Sequence, residues 1–375
     1  MENTMKNVLI IAALFIGFFA IDASAQAIYS SGKIELTLRS YGRIRVGMVN
    51  ADSVSYTRQL DRGSLLYYMS PTNVFDYLED TDDIMEPDTV QTPEWGDFQI
   101  KARCNGDYAG KSPKLEEGID VFGWDGKAYG IVRFTVLSLE QQPYDGRFGM
   151  EFIPQIDGTY GNEVMTYNQA RQLFAFYKDS SFLGIKILNH PVASAHNFDW
   201  FEGYNVDSLL SIWMTDGQFE NYLWAGIDGG TAVFGTTPIT TNPADSVQLY
   251  IAVAVGKDSV SMNAAIDEAT ARYNAYTSVE NEKQIASITD YALYQNYPNP
   301  FNPSTQISYD LPKATNVTLT VYNILGNKVA ELVNGYNDAG RHTVNFDASK
   351  LSSGVYFYTL NAGGKIVTNK MILSK

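Results

Sequence analysis

Aromatic and acidic side chains alternate between residues 199 and 224, a pattern that can bind sugars. Aromatic rings stack on the apolar faces of pyranose rings, and carboxylates accept hydrogen bonds from sugar hydroxyls. The side chains expected to contact such a ligand are Trp200, Tyr204, Trp213 and Trp224. Large aromatic side chains also fill the interiors of β-sandwiches, and on residue type alone we expect most of this stretch to lie in a core. The two interpretations differ in whether the rings face solvent.

A run of acids between residues 79 and 88 is a candidate calcium site, because Ca²⁺ prefers oxygen ligands. Asp80, Asp82 and Asp83 would supply carboxylates. The run lacks the loop order of an EF-hand, with glycine at its sixth position, so that motif is excluded. The alternative is a solvated acidic loop. Calcium is the one cofactor that the residues suggest.

No combination of nucleophile and base in the sequence identifies an enzyme. A Gly-x-Ser-x-Gly element does not occur, and His190 and His196 do not have the spacing of zinc-binding histidines on a helix. The single cysteine, Cys104, shares a strand face with apolar residues and is expected in the interior. Carboxylate pairs for a glycoside hydrolase exist, Glu151 with Asp157 among them, and the sequence neither selects nor excludes one. We predict no catalytic residue, and whether the protein is an enzyme stays open.

Composition and charge limit the class of partner. The 375 residues include 27 Lys or Arg against 42 Asp or Glu, a net charge of −15, which argues against binding to nucleic acid. One cysteine excludes an intramolecular disulfide framework. Aromatic residues make up 13% of the chain and glycine occurs 30 times, which favours β-structure with tight turns.

The first 25 residues have the features of an export signal. Lys6 precedes a 14-residue apolar run at 8–21, and Ala23 and Ala25 form the small-x-small pattern of a cleavage site before Gln26. The run is shorter than an ordinary membrane span, so we expect the mature chain to have no transmembrane segment.

A change in charge marks a domain boundary. Residues 291–375 contain seven Lys or Arg and four acids, so the negative charge belongs to the preceding residues. We expect a signal at 1–25, an acidic domain at 26–276, a polar linker at 277–290 and a small domain at 291–375.

Alternation of apolar and polar residues predicts an all-β fold, with a large antiparallel β-sandwich followed by a small one. In the acidic domain, 130–139 and 146–156 are predicted to be strands of one hairpin. Residues 247–255 are predicted to form a further strand with Leu249, Ile251 and Val253 on one face. One terminal helix is expected to begin at Ser259 or Ser261.

The small domain shows short alternating runs separated by turn residues, which predicts a compact antiparallel sandwich. Before it, three prolines within six positions indicate a stiff extended segment. Residues 294–375 closely resemble the type A C-terminal sorting domain of the type IX secretion system, which has the immunoglobulin-like fold of hook-capping proteins. The main residues that carry the resemblance are Asn296, Pro298, Asn299, Pro300, Phe301, Asn302, Pro303, Gly326, Gly340, Gly354, Tyr356 and Lys370.

The resemblance implies an origin in a Gram-negative bacterium of the Bacteroidota–Chlorobi–Ignavibacteria type and export through the periplasm. It implies that the outer-membrane type IX translocon recognises the module. A surface sortase would then remove it, with cleavage expected before Tyr291, and could attach the product to lipopolysaccharide. The acidic domain is similar to sandwich domains that precede such modules, which bring no established activity.

We therefore interpret the chain as a secreted or cell-surface, non-enzymatic protein whose passenger domain serves binding, adhesion or surface structure. The alternative is a carbohydrate-active passenger, either a sugar-binding module or a glycoside hydrolase. An open groove lined by the aromatic stretch and two facing carboxylates would favour the enzyme, and rings buried in the core would disfavour it.

Overall fold

The structure is a computed structural model that describes residues 25–52, 54–76, 81–199 and 206–375, the side chains of 281–287 excepted. The predicted signal therefore lies outside the described residues, apart from Ala25. The chain folds into two compact units, one ending at Tyr273 and one beginning at Asn274. Each unit is a β-sandwich, as the alternation of apolar residues predicted.

The first unit, here called the passenger, contains eighteen strands among its described residues. In chain order they are β1 Gln26–Ser30, β2 Ile34–Arg39, β3 Arg43–Val49, β4 Tyr56–Ser70, β5 Asn73–Phe75, β6 Asp82–Thr89, β7 Phe98–Asn105, β8 Leu115–Gly123, β9 Tyr129–Ser138, β10 Tyr144–Pro154, β11 Val164–Asn168, β12 Leu173–Lys178, β13 Ser181–Ile187, β14 Val192–Asp199, β15 Tyr222–Trp224, β16 Gly230–Thr236, β17 Ile239–Thr241 and β18 Ser246–Gly256.

Two antiparallel nine-stranded sheets form the passenger. The first has the order β1-β2-β3-β4-β10-β16-β14, with β5 beside β4 and β17 beside β10. The second has the order β15-β11-β12-β13-β18-β9-β8-β7-β6. Their inner faces share one apolar core, to which the first sheet contributes Leu36, Phe152 and Phe234, and the second Phe134, Phe174 and Ile251.

The predicted hairpin between residues 130–139 and 146–156 is wrong. Both strands form, as β9 and β10, but β9 pairs with β8 and β18 in the second sheet. Strand β10 pairs with β4 and β16 in the first sheet, so the chain crosses from one sheet to the other between them. A two-residue period identifies a strand and its buried face but does not identify the strand it pairs with.

Two helices accompany the sheets, α1 Asp207–Thr215 and α2 Ser259–Ser287. The predicted terminal helix is α2, which covers the outer face of the second sheet with Met262, Ile266 and Ala269. Strand β18 is therefore buried on both faces, Leu249, Ile251 and Val253 in the core and its alternate residues under α2. Helix α1 was not predicted from the sequence; it has only nine residues and packs Leu210 and Met214 against the first sheet.

Helix α2 continues into the segment expected to be a linker. Residues 259–287 contain neither glycine nor proline, so nothing in the chain stops the helix before Ser287. Ile288–Tyr291 then separates α2 from the next strand. Neither α1 nor α2, the helices of the described chain, is both long and apolar enough to cross a bilayer.

The second unit forms a smaller sandwich of two antiparallel sheets. Its strands are β19 Ala292–Leu293, β20 Ser304–Leu311, β21 Thr315–Asn323, β22 Lys328–Asn337, β23 Gly340–Asp347, β24 Gly354–Ala362 and β25 Lys365–Leu373. One sheet has the order β19-β20-β23 and the other β22-β21-β24-β25. Between them lies a core that includes Phe301, Tyr309, Leu319, Tyr358 and Met371. The predicted all-β class and the small C-terminal sandwich are confirmed.

Candidate functional site

The proline-rich segment 294–303, here called the lead-in, is part of the small sandwich. Asn296 is buried, its backbone N–H donates to the Tyr358 hydroxyl at 2.7 Å, and that hydroxyl donates to the Tyr294 carbonyl at 2.8 Å. The Asn296 side-chain amide donates to the Pro298 carbonyl at 3.0 Å and to Thr305 Oγ1 at 2.9 Å. These bonds fix the lead-in because a buried amide without partners would cost about 1–3 kcal/mol.

The lead-in also closes part of the free edge of β25. Asn299 Oδ1 accepts the backbone N–H of Ile372 at 2.8 Å, and the Gln295 amide donates to the Lys370 carbonyl at 2.8 Å. The Phe301 N–H donates to the Ile372 carbonyl at 2.9 Å, and its carbonyl accepts the N–H of Ser374 at 3.0 Å. Side-chain amides and one residue of backbone thus satisfy the groups that another strand would otherwise bind.

The remaining residues of the predicted sorting motif divide into buried residues, glycines at turns or strand starts, and exposed residues. Phe301 and Tyr356 are buried, and the Tyr356 hydroxyl donates to the Ser352 carbonyl at 2.8 Å. Gly326 has a φ of 79° in the turn before β22, a conformation that favours glycine. Gly340 and Gly354 begin β23 and β24. Pro298 and Asn299 are half-buried, and the exposed positions include those of Pro300, Asn302, Pro303 and Lys370.

In the passenger, two aromatic side chains of the predicted stretch lie on an open surface. Tyr222 and Trp224 are on β15, an edge strand of the second sheet, with exposed fractions of 64% and 61%. The core-filling interpretation is therefore wrong for these two. Leu223, which lies between them on β15, is on the opposite face of the strand and packs against the core.

Trp224 begins a row of side chains across four neighbouring strands. Trp224 lies opposite Val164 on β11, and Val164 lies opposite Tyr177 on β12. Tyr177 in turn lies opposite Phe182 on β13. Tyr177 and Phe182 stack with ring centroids 5.0 Å apart and an interplanar angle of 9°. Residues directly opposite one another in antiparallel strands share a face of the sheet, so these four form one band on the outer surface, here called the aromatic row.

Trp213, the other predicted ring in the described chain, lies elsewhere. It is on α1 and stacks on Phe198 at 4.2 Å, against the outer face of the first sheet. The aromatic row does not include it. Trp200 and Tyr204 lie outside the described residues.

The part of the acidic run that the structure describes, from residue 81 onward, shows no arranged cation site. Asp82 and Asp83 are consecutive residues of β6, and Asp83 accepts the backbone N–H of Tyr41 at 2.8 Å. Asp80 lies outside the described residues. Within the described ranges, no group of three His, Cys, Asp or Glu side chains is placed to hold a metal. Calcium binding stays a prediction, which the change in melting temperature on addition of calcium would test.

Five carboxylate residues of the described passenger are buried, Glu35, Asp76, Glu117, Glu151 and Glu163. Glu151 lies on the outer face of the first sheet with Arg62 Nη2 at 2.6 Å, and burial raises its pKa while the guanidinium opposes that shift. Glu117 is inside the sandwich, and burial raises its pKa to about 8. Asp157, the residue considered as a partner for Glu151, is exposed in a turn and accepts the Ser181 hydroxyl at 3.3 Å.

A cavity of about 700 Å³ opens beside the first turn of α2. Its wall includes Lys33, Lys127, Lys257, Asp258 and Glu268. Lys127 Nζ and Glu268 Oε1 are 2.6 Å apart, and Asp258 accepts the N–H of Ser261 at 2.7 Å. Three of the charged side chains at this opening therefore already have partners within the protein, Lys127 and Glu268 in an ion pair and Asp258 in a hydrogen bond.

Comparison with known proteins identifies the second unit. Residues 295–374 match the family model of the secretion system C-terminal sorting domain. The small sandwich is therefore a type IX sorting domain that follows a β-rich passenger, which supports export through the periplasm of a Gram-negative bacterium to the cell surface or the medium. No curated protein sequence matches the chain significantly.

Solved structures are similar to the chain at low identity. A bacterial glucoamylase complexed with acarbose has a TM-score of 0.50 and 12% identity, over 68% of this chain and 36% of that one. The chain thus covers about a third of the glucoamylase, and the likeness concerns the fold. An aldose epimerase homologue from C. elegans has a TM-score of 0.41 and 8% identity, over 63% of this chain and 99% of that one. Heparan sulfate lyase HepC from Pedobacter heparinus has a TM-score of 0.36 and 10% identity, over 92% of this chain and 41% of that one.

Proposed function

We propose that the protein is a carbohydrate-binding protein of the cell surface, carried there by its type IX sorting domain. The passenger binds a glycan on the aromatic row without cleaving it. The surface sortase removes the sorting domain in the segment before Tyr291 and attaches the passenger to lipopolysaccharide. The signal at 1–25 delivers the chain to the periplasm first.

The observation that carries the glycan proposal is the exposure of Trp224 and Tyr222 next to the Tyr177–Phe182 stack. Exposed large aromatic side chains that share one surface mark binding sites more often than isolated ones do. Across the strands, Trp224 and Tyr177 are two strand spacings apart, about 10 Å. Flat rings at that separation suit successive rings of a sugar chain better than a single small ligand.

Polar groups close to the row support a ligand with hydroxyl groups. Thr166 and Ala175 lie in the adjacent register position on β11 and β12, and Thr166 Oγ1 donates to the Ala175 carbonyl at 3.2 Å. These donors and acceptors could orient a sugar that the rings bind by stacking. The sugar complex of the glucoamylase is in keeping with a carbohydrate ligand.

A glycan array probed with the full mature chain tests this proposal. For the glycans that the unchanged chain binds on the array, Trp224→Ala and Tyr222→Ala are each expected to weaken binding tenfold or more. Tyr108→Ala is the matched control, because Tyr108 is 76% exposed and lies outside the aromatic row. Unchanged binding by both the Trp224→Ala and the Tyr222→Ala variant, or no bound glycan on the array, would refute the proposal.

Deleting residues 291–375 tests the proposed export to the cell surface through the type IX system. In a host with a working type IX system, the truncated chain is expected to remain in the periplasm while the full chain reaches the surface. Surface display of the truncated chain would contradict the role given to the sorting domain.

A further inference from the structure

The two sheets of the sorting domain have four lateral edges, and these differ in how they are protected. Strand β19 has only two residues, and β25 is closed from residue 370 to 374 by the lead-in. Strand β23 carries the charged residues Arg341 and Asp347. Strand β22 is the longest edge, and within the described sorting domain it pairs only with β21.

The first half of β22 has the features that protect a free edge from further pairing. Its register with β21 shifts twice, between Leu319 and Thr320 and between Val321 and Tyr322. The charged pair Lys328 and Glu331 lies in the same half, with Nζ and Oε2 2.5 Å apart. Bulges and charges both hinder the addition of another strand.

The second half of β22, Val333–Asn337, has neither protection. These five residues pair with Thr315–Leu319 in regular register and include no charged side chain. Tyr336 is 68% exposed at this edge. A regular, uncharged and open strand edge is a template for strand addition.

We propose that Val333–Asn337 binds an extended segment of the outer-membrane translocon as an additional antiparallel or parallel strand. This inference rests on the export role of the sorting domain. Backbone N–H and C=O groups of β22 supply the affinity, and the exposed ring of Tyr336 contributes side-chain contacts. Closure of the β25 edge by the lead-in leaves β22 as the longer open end of its sheet.

Charge placed on the edge tests the inference in the full chain. The variant N334K/Y336K puts two lysines on exposed positions of the edge strand, where lysine opposes strand addition. The control N316K/N361K adds the same charge to exposed positions of β21 and β24, the two central strands of the same sheet. Export of the edge variant is expected to fall tenfold or more, and export of the control to stay within twofold of the unchanged chain.

Circular dichroism melting establishes that each variant is folded, and the single variant Asn334→Lys replaces the double one if that is unfolded. Normal export of a folded edge variant would overturn the inference, and so would an equal loss in the control. A dimer of the purified chain that the edge variant abolishes would assign the edge to a second copy instead, and would also overturn it. If the chain lacking 291–375 is exported normally, the sorting function itself fails, which is a separate outcome.

Discussion

The thiol of Cys104 lies 3.1 Å from Oε2 of Glu117, and both side chains are buried inside the passenger. They occupy register-paired positions on β7 and β8 that face the core. Burial, together with the negative charge of Asp83, raises the pKa of Glu117 to about 8, against the lowering effect of the hydrogen bond from the thiol. The passenger therefore folds with a carboxyl group that is neutral over much of the physiological range.

The free energy of unfolding of the passenger should depend on pH, because the buried Glu117 carboxyl binds a proton in the folded state. Because the folded pKa lies above the ordinary value of 4.5, the stabilising contribution of the neutral carboxyl is complete below that value. It is lost as pH rises through about 8. Relative to Glu117→Gln, the unchanged chain should lose about 1.4 kcal/mol of unfolding free energy per pH unit across this window.

Urea unfolding followed by tryptophan fluorescence measures this effect for the passenger alone, since residues 274–375 contain no tryptophan. Glu86→Gln is the control, because Glu86 is exposed on β6, two strands from β8 in the same sheet. The same pH dependence in Glu117→Gln and in the unchanged chain would exclude Glu117 as the source.

The Cys104 thiol should resist labelling in the native protein. It is fully buried, and burial raises its pKa well above the ordinary value, so little thiolate is available. A chromogenic thiol reagent is expected to react only after denaturant is added, and Cys104→Ser should cost on the order of 1 kcal/mol or more. Stoichiometric labelling without denaturant would show that the thiol is accessible.

Removing Glu151 should be strongly destabilising. Arg62 and Glu151 are both only 8% exposed in their side chains, so Glu151→Ala leaves a buried guanidinium without its carboxylate. We expect a loss of about 3–5 kcal/mol in unfolding free energy. Asp267→Ala breaks the exposed pair with Arg171 and should cost less than about 1 kcal/mol. Denaturant titration measures the loss in unfolding free energy for each variant. Equal losses would mean that the buried pair contributes no more to stability than the exposed pair does.

The lead-in predicts a local effect in the sorting domain. Asn299→Ala removes the acceptor for the Ile372 N–H, at a cost of about 1–2 kcal/mol. Amide hydrogen exchange of residues 370–374 should accelerate at least tenfold, as measured by mass spectrometry. Asn302→Ala, at an exposed position of the same segment, is expected to leave the exchange rate unchanged. Protection that survives in Asn299→Ala would show that backbone pairing alone closes the edge.

The strands and the terminal helix could be predicted because their signals are local. Alternation identified β18 and the strands of the sorting domain, and helical spacing identified α2. Strand partners could not be predicted in this way, and β9 and β10 therefore appeared to be a hairpin. Pairing depends on interactions between distant segments, which a single alternating run does not encode.

The buried acid and the aromatic row illustrate a second limit. Glu117 stands between Leu115 and Ile119 in the alternation of β8, so its inward position was readable from the sequence, and the interior position of Cys104 was predicted. That the two side chains lie opposite each other on β7 and β8 was not predictable, because it depends on strand pairing. On the short strand β15, either Leu223 or its two aromatic neighbours could have faced the core. The packing of Leu223 decides this, and residue type alone favoured the wrong face.

The bond between Asn299 and Ile372 joins positions 73 residues apart in the chain. Strand β25 is the last strand of the sorting domain, so the bonds that Asn299 and Phe301 make to it form later than the bonds of Asn296 to Thr305 and Tyr358. A polypeptide that ends before β25 therefore lacks the last strand of the sandwich, and Asn299 and Phe301 are left without the partners that they have in the full chain.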